Sequence, residues 1–243
     1  MDPATIIAMT IEAGEPLSEA AALYRLMAWL SPSYPIGAYS YSHGLEYAVE
    51  AGRLKNAQTT LAWLTDLIEQ GSGFADAVLL AAAFDATAAR DAAALFDIAE
   101  LALALSATAE LALETTAQGD AFMKITRAAW GCAAIDWAAT VGPGPYALPV
   151  AVAIAGTGHG LDKASVVSAY LQSFAANLVS AAVRLIPLGQ TDGQRLTMML
   201  EPVVLATAKR ALVTPLCDLG TASMMSDIAS MKHETQYTRL FRS

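Results

Sequence analysis

Charge is scarce in this chain. Only 15% of its 243 residues are Asp, Glu, Lys or Arg, where an ordinary globular domain carries roughly 25%, and 55% are hydrophobic. Such a sequence either crosses a membrane or hides surface against other subunits. Crossing takes about 20 consecutive apolar residues. Asp97, Glu100, Glu110 and Glu114 cut one candidate stretch, and Gly156 to Lys163 cuts another. Burial against neighbouring subunits is therefore expected, with no membrane involved.

Histidine and cysteine are scarcer still. His43, His159 and His233 stand apart, with no HxH, HExxH or CxxC spacing, so no resident metal site is expected. Cys132 and Cys217 are far apart, and Met1 to Leu17 holds Asp2, Glu12 and Glu15 without a basic leader. Both features suit free thiols in the cytoplasm. Basic residues are few: 14 against 23 acidic, for a net charge of −9. Residues 1–208 carry −11 and residues 209–243 carry +2. The acidic body excludes nucleic acid as the natural partner, while the mildly basic end suits an acidic protein. No phosphate-cradling loop is present. Lys163 in GTGHGLDK lacks the required spacing, and the prolines of Gly142–Pro145 supply no N–H.

What the chain has in quantity is helix. From Ser18, a candidate N-cap, Leu23, Leu26, Met27 and Leu30 recur at helical spacing. A short helix is expected from about Ser40 to Ala51, closed by Gly52, and another over 57–70 with Leu61, Leu64 and Ile68 on one face. Gly71–Gly73 breaks the pattern. Residues 74–129 are alanine-rich, with breaks expected near Asp91 and at Ala117–Gly119. After Gly142–Pro145 and Thr157–Asp162, a helix capped by Asp162 should run to Leu185, with Val167, Tyr170, Leu171, Phe174, Leu178 and Ala182 in one stripe. Pro187–Gly189 ends it, and helices over Asp192–Leu212, capped by Asp192, and Thr221–His233 follow. No segment alternates as a strand does. The expected fold is all-α, a single-domain bundle of about eight to ten helices over 18–229. A flexible tail, 1–17, precedes it, and a second tail, 230–243, follows.

One stretch breaks this pattern: Ser31 to Glu46, SPSYPIGAYSYSHGLE. Pro32 and Pro35 remove donors and push Ser31 and Tyr34 away from helical geometry. A catalytic reading of Ser40, His43 and Glu46 as a hydrolase cluster needs convergent geometry that proximity in sequence does not supply. The alternatives are a loop buttressed by Tyr34, Tyr39 and Tyr41 and a tyrosine-rich contact surface. Arg184 to Gln194, RLIPLGQTDGQ, is similarly open between an ion-paired helix corner and a docking surface. The end, SMKHETQYTRLFRS, places Met231, Tyr237, Leu240 and Phe241 among Lys232, Arg239 and Arg242. Such a tail either folds back on its own body or anchors a partner.

These three segments, in this order, resemble the urease accessory protein F family, UreF, whose members carry a similar SP-x-x-P-(V/I)-G-(A/S)-(F/Y)-S-(Y/H)-S-x-GLE segment. The resemblance implies a non-catalytic all-α subunit that bridges UreD, also called UreH, and the GTPase UreG during GTP-dependent nickel insertion into apo-urease. It implies a homodimer that binds no cofactor tightly, nickel being the cargo and GTP belonging to the partner. Candidate partner contacts are Pro35, Gly37, Tyr39, Ser40, His43, Gly44 and Glu46 of the loop, and Arg184, Gln190, Asp192 and Gln194 of the corner, the resemblance leaving the buttress and ion-pair alternatives open. In the tail the same role falls on Met231, Lys232, His233, Glu234, Tyr237, Arg239, Leu240, Phe241 and Arg242, as the UreD-binding segment.

Overall fold

A computed structural model describes residues 17–142 and 144–243. The expected tail at 1–17 lies, but for Leu17, outside the described residues. Among these, the chain forms eleven α-helices and no strand. In order they are α1 (Glu19–Trp29), α2 (Leu45–Glu50), α3 (Ala57–Gln70), α4 (Ser72–Ala88), α5 (Ala92–Ala104) and α6 (Ala109–Trp130). Then come α7 (Ala133–Val141), α8 (Leu148–Gly158), α9 (Lys163–Leu185), α10 (Gln190–Ala211) and α11 (Met224–His233). The all-α bundle is as expected, with one helix more than the upper bound.

Helices α4 and α8 are the axis of the bundle. Every residue of α8 from Pro149 to Gly156 is buried, and α4 buries eleven of its seventeen. Their alanines and glycines present little side-chain bulk, so neighbours approach closely on every side. Helices α5, α6 and α7 pack around one side of this pair, and α9, α10 and α3 around the other. α11 and α2 sit together, with α2 resting on α9. The α9 stripe is buried where the periodicity placed it, from Val167 and Tyr170 to Leu178 and Ala182. Asp162 caps it by accepting from the Ser165 N–H at 2.8 Å.

Four expectations are corrected. The alanine-rich half does not break at Ala117–Gly119: α6 runs through it, and the break falls at Leu105–Thr108. Gly119 is there for packing, since a Cβ would lie 2.0 Å from the Tyr146 carbonyl oxygen on the segment leading into α8. On α1, Leu23 and Met27 face outward, while Leu26, Trp29 and Arg25 are buried. Trp29 meets Phe122, Trp130 and His159 edge-on, and Arg25 lies 2.5 Å from His159 Nδ1, so this cluster sets the rotation of the helix. The short helix after the loop starts at Leu45, not Ser40. Lastly, Ala57–Ala88 and Lys163–Leu185 are apolar and long enough to cross a membrane by length and composition. The first is α3 and α4 parted by Gly71, and both stretches pack within the bundle.

Candidate functional site

The loop, Arg184 and the tail meet on one face. The junction is built on Glu46, in the first turn of α2 and buried. Its carboxylate accepts the backbone N–H groups of Leu240 at 2.7 Å and Phe241 at 2.9 Å, and His233 Nε2 lies 3.3 Å from it. The other ring nitrogen of His233 is 2.6 Å from Glu110 on α6, and Arg239 donates to the second oxygen of Glu110, also at 2.6 Å. Further along, the Arg242 N–H donates to the Ser40 carbonyl at 2.8 Å, and the Ser42 N–H donates to the Ser243 carbonyl at 3.0 Å. Ser243 Oγ donates to Glu114 at 2.5 Å. The tail therefore folds back onto its own body, and Ser230 to His233 belong to α11.

Gly44 makes this approach possible. Its φ is 77°, where a side chain is strained, and a Cβ would sit 2.9 Å from the Ser230 nitrogen. The residue before it, His43, holds φ 58° with a side chain, a strained conformation of the kind that clusters at functional sites.

Arg184 is half-buried and, among the described residues, has no carboxylate partner. Its guanidinium stacks between Tyr39, at 3.8 Å from the ring centre, and Phe241, at 4.4 Å. It donates to the carbonyls of Tyr39 at 2.9 Å and Ser180 at 3.2 Å. The ion-paired corner anticipated from the sequence is thus a stacked arginine clamping loop and tail to α9. Asp192 does not cap α10. It lies in the first turn and pairs with Arg195 at 2.8 Å. Gln190 and Gln194 are exposed and stay apart from the junction, as do Pro35 and Gly37 at the loop tip.

The Ser40, His43 and Glu46 cluster does not assemble. Glu46 is committed to the tail, and Ser40 to Gly37 and Arg242 through its backbone. His43 turns inward, with Nε2 2.7 Å from Ser72 Oγ and Nδ1 3.4 Å from Glu114. Burial works against its charge, but Glu114, with Asp76 and Asp227 behind it, outweighs burial and raises its pKa. Asp76 is pushed up to about 6 by burial, although Tyr170 donates to it at 2.6 Å.

These groups line the inner end of a cleft of about 1520 Å³ that opens between α1, α9 and α10. It is lined by the exposed Leu23, Met27, Met198 and Leu205 and by the small, half-buried Ala169, Ser173 and Ala176 of α9. Glu19, Asp76, Glu114, Asp162, Glu201 and Asp227 line it, and among the described residues no Lys or Arg does. Among the described residues no group of three or more His, Cys, Asp or Glu is placed to hold a metal ion.

Sequence reasoning missed Glu110, Glu114, Ser72, Asp76 and Tyr170. Glu110 and Glu114 did leave a signal: two carboxylates four apart, on one helical face, in a stretch otherwise apolar. It registered only as an interruption of hydrophobicity.

The UreF family profile matches residues 54–201, more than half of the chain. This chain belongs to the UreF family. Among its UreF relatives, the urease accessory protein UreF of Rhodopseudomonas palustris (strain BisB18) is 52% identical over 226 residues, covering 93% of this chain and 94% of the relative. The one from Bradyrhizobium diazoefficiens is 51% identical over 225 residues, covering 93% of each. The UreF profile spans the bundle from α3 into α10, while the loop and tail that suggested UreF in the sequence lie on either side of it.

Proposed function

We infer that this chain is a non-catalytic helical subunit of urease maturation. It bridges UreD, also called UreH, and the GTPase UreG while nickel is inserted into apo-urease. Nickel is the cargo, GTP is held by UreG, and the assembly works in the cytoplasm around a homodimer of this chain.

The observation that carries the reading is the junction itself. It orders the backbone of the tail while leaving Tyr237 at 103% exposure, Leu240 at 77% and Tyr39 at 67%. Exposed aromatic and aliphatic side chains on an ordered backbone bind at low entropic cost. Met224, Ile228 and Met231, exposed along one face of α11, extend the same surface, and UreD is assigned to it. The apolar rim of the cleft between α1 and α10 is assigned to the second copy, which accounts for a chain so poor in charge. The acidic lining of that cleft favours a cation over an anion within it, in keeping with nickel as cargo. Toward UreG the chain acts by differential affinity for its nucleotide states, since equal affinity shifts nothing.

The test is capture of UreD by the full chain and by a chain ending at Ala229. Loss of capture with helical content nearly unchanged is expected; undiminished capture would remove the tail from the interface. Light scattering of the chain mixed with UreG, with and without a GTP analogue, tests the second contact, and equal binding in both states would refute it.

A further inference from the structure

Methionine is ordinarily a residue of protein interiors. Here it is not. Among the described residues no methionine belongs to the buried core, and Met123 on α6 is half-buried. Met27, Met198, Met199, Met224, Met225 and Met231 are all between 44% and 70% exposed. They are not scattered. Met27 and Met198 line the cleft between α1 and α10, and Met199 follows Met198 in the chain. Met224, Met225 and Met231 lie on α11, where Met224 and Met231 stand one turn to either side of Ile228 on an exposed face. These are the two faces assigned above to the second copy and to UreD.

Leucine would fill such places equally well. What sets methionine apart is its thioether, which a hydroperoxide oxidises. The sulfur attacks one oxygen of hydrogen peroxide, the O–O bond breaks and an S–O bond forms. The sulfur gives up two electrons, and the other oxygen leaves as water after taking the proton of the transferred hydroxyl. The sulfoxide is polar, so covering it with an apolar partner surface costs affinity. With no methionine in the core, this chemistry changes the surface and leaves the bundle packed. The junction is equally insulated, since Glu46, Glu110 and Arg239 hold the tail through groups that peroxide leaves alone. Cys132 is half-buried, so among the described residues Cys217 is the one exposed thiol that competes for the oxidant.

We propose that Met224, Met225 and Met231 form a reversible oxidation site on α11: as thioethers they present the apolar face that UreD meets, and as sulfoxides they switch that contact off without unfolding the chain. This regulation rests on the assignment of UreD to that face.

The experiment treats the purified full chain with hydrogen peroxide and maps the added oxygens peptide by peptide by mass spectrometry. UreD capture and helical circular dichroism are measured before and after. Oxygen is expected on Met224, Met225 and Met231 ahead of Met123, with helical content unchanged and capture about tenfold weaker or more. Incubation with methionine sulfoxide reductases for both sulfoxide epimers should restore capture, whereas a thiol reductant alone should not. In a chain carrying Met224→Leu, Met225→Leu and Met231→Leu, capture after peroxide should equal capture before it, whatever the starting level. Undiminished capture once the three sulfoxides have formed overturns the switch. So does recovery with the thiol reductant alone, failure of the reductases to restore capture, loss of helix in step with capture, or an equal fall in the leucine chain. Failure of the untreated chain to capture UreD removes the partner assignment and the switch with it, whereas a switch that fails by itself leaves untreated capture intact.

Discussion

The axis of the bundle and the loop–tail junction are both buried, and they are held in opposite ways. Around α4 and α8 the contacts are many, small and apolar. Ala77, Ala83, Ala151, Ala153 and Ala155 are fully buried, each adding one small contact to a close-packed interior. At the junction a few groups each do several things. Glu46 satisfies two backbone donors and faces an imidazole, and Arg184 fills the gap between two aromatic rings while holding two carbonyls. The axis is specified by composition, whereas the junction depends on single residues.

The sharpest way to break this contrast is to find a residue of the axis that is individually indispensable. Gly119→Leu is that case, because its first side-chain atom would overlap the backbone carbonyl of Tyr146. A loss of about 3–5 kcal/mol is expected in urea unfolding. Glu46→Ala should come next, at about 3 kcal/mol, by leaving two N–H groups without an acceptor and Nε2 of His233 without a partner. Its effect should concentrate in the tail, seen as faster exchange at Leu240 and Phe241 while the main unfolding transition moves less. Equal shifts in both would mean that the two regions are one cooperative unit.

The pH dependence separates them further. The Asp76 carboxyl is raised from 3.8 to about 6, so between those values the folded chain holds a proton that the unfolded chain has lost, and stability falls as pH rises through that window. His43, raised above its usual 6.5, adds stability that is fully present below that value and is lost as pH rises through its folded pKa. Asp76→Asn should flatten the acid part of the slope in thermal melts at stepped pH and also weaken the upper part, because the Asp76 charge helps to raise His43; an unchanged acid slope would show that another group is responsible. The smallest effect expected is Arg184→Lys, about 1 kcal/mol from loss of the planar stack between Tyr39 and Phe241. It should be read by melting temperature and by UreD capture, and a variant unchanged in both would remove Arg184 from the junction's essential parts.

Much of the bundle was legible because helical periodicity is local. The α9 stripe, the 57–70 helix, the break near Asp91 and the Asp162 cap followed from residues within a turn or two of each other. Gly119 was misread because a glycine that breaks a helix and one that admits a neighbouring backbone look alike until the neighbour is in place. Arg184 was open in the sequence between an ion-paired corner and a docking surface, and the stacking site it occupies was neither. No spacing rule announces a stacking site formed by rings 145 positions before it and 57 after it in the chain.

The sequence by itself determined that this protein is a helical bundle, where most of its helices begin and end, and which family it resembles, because propensity, capping and apolar period act over a few residues. Only the tertiary structure decided that Glu46, Glu110, Glu114, His43 and His233 share one buried network, and that the tail lies on the loop. Those contacts join residues more than sixty positions apart. Whether a buried charge is satisfied depends on what the rest of the fold brings to within hydrogen-bonding distance.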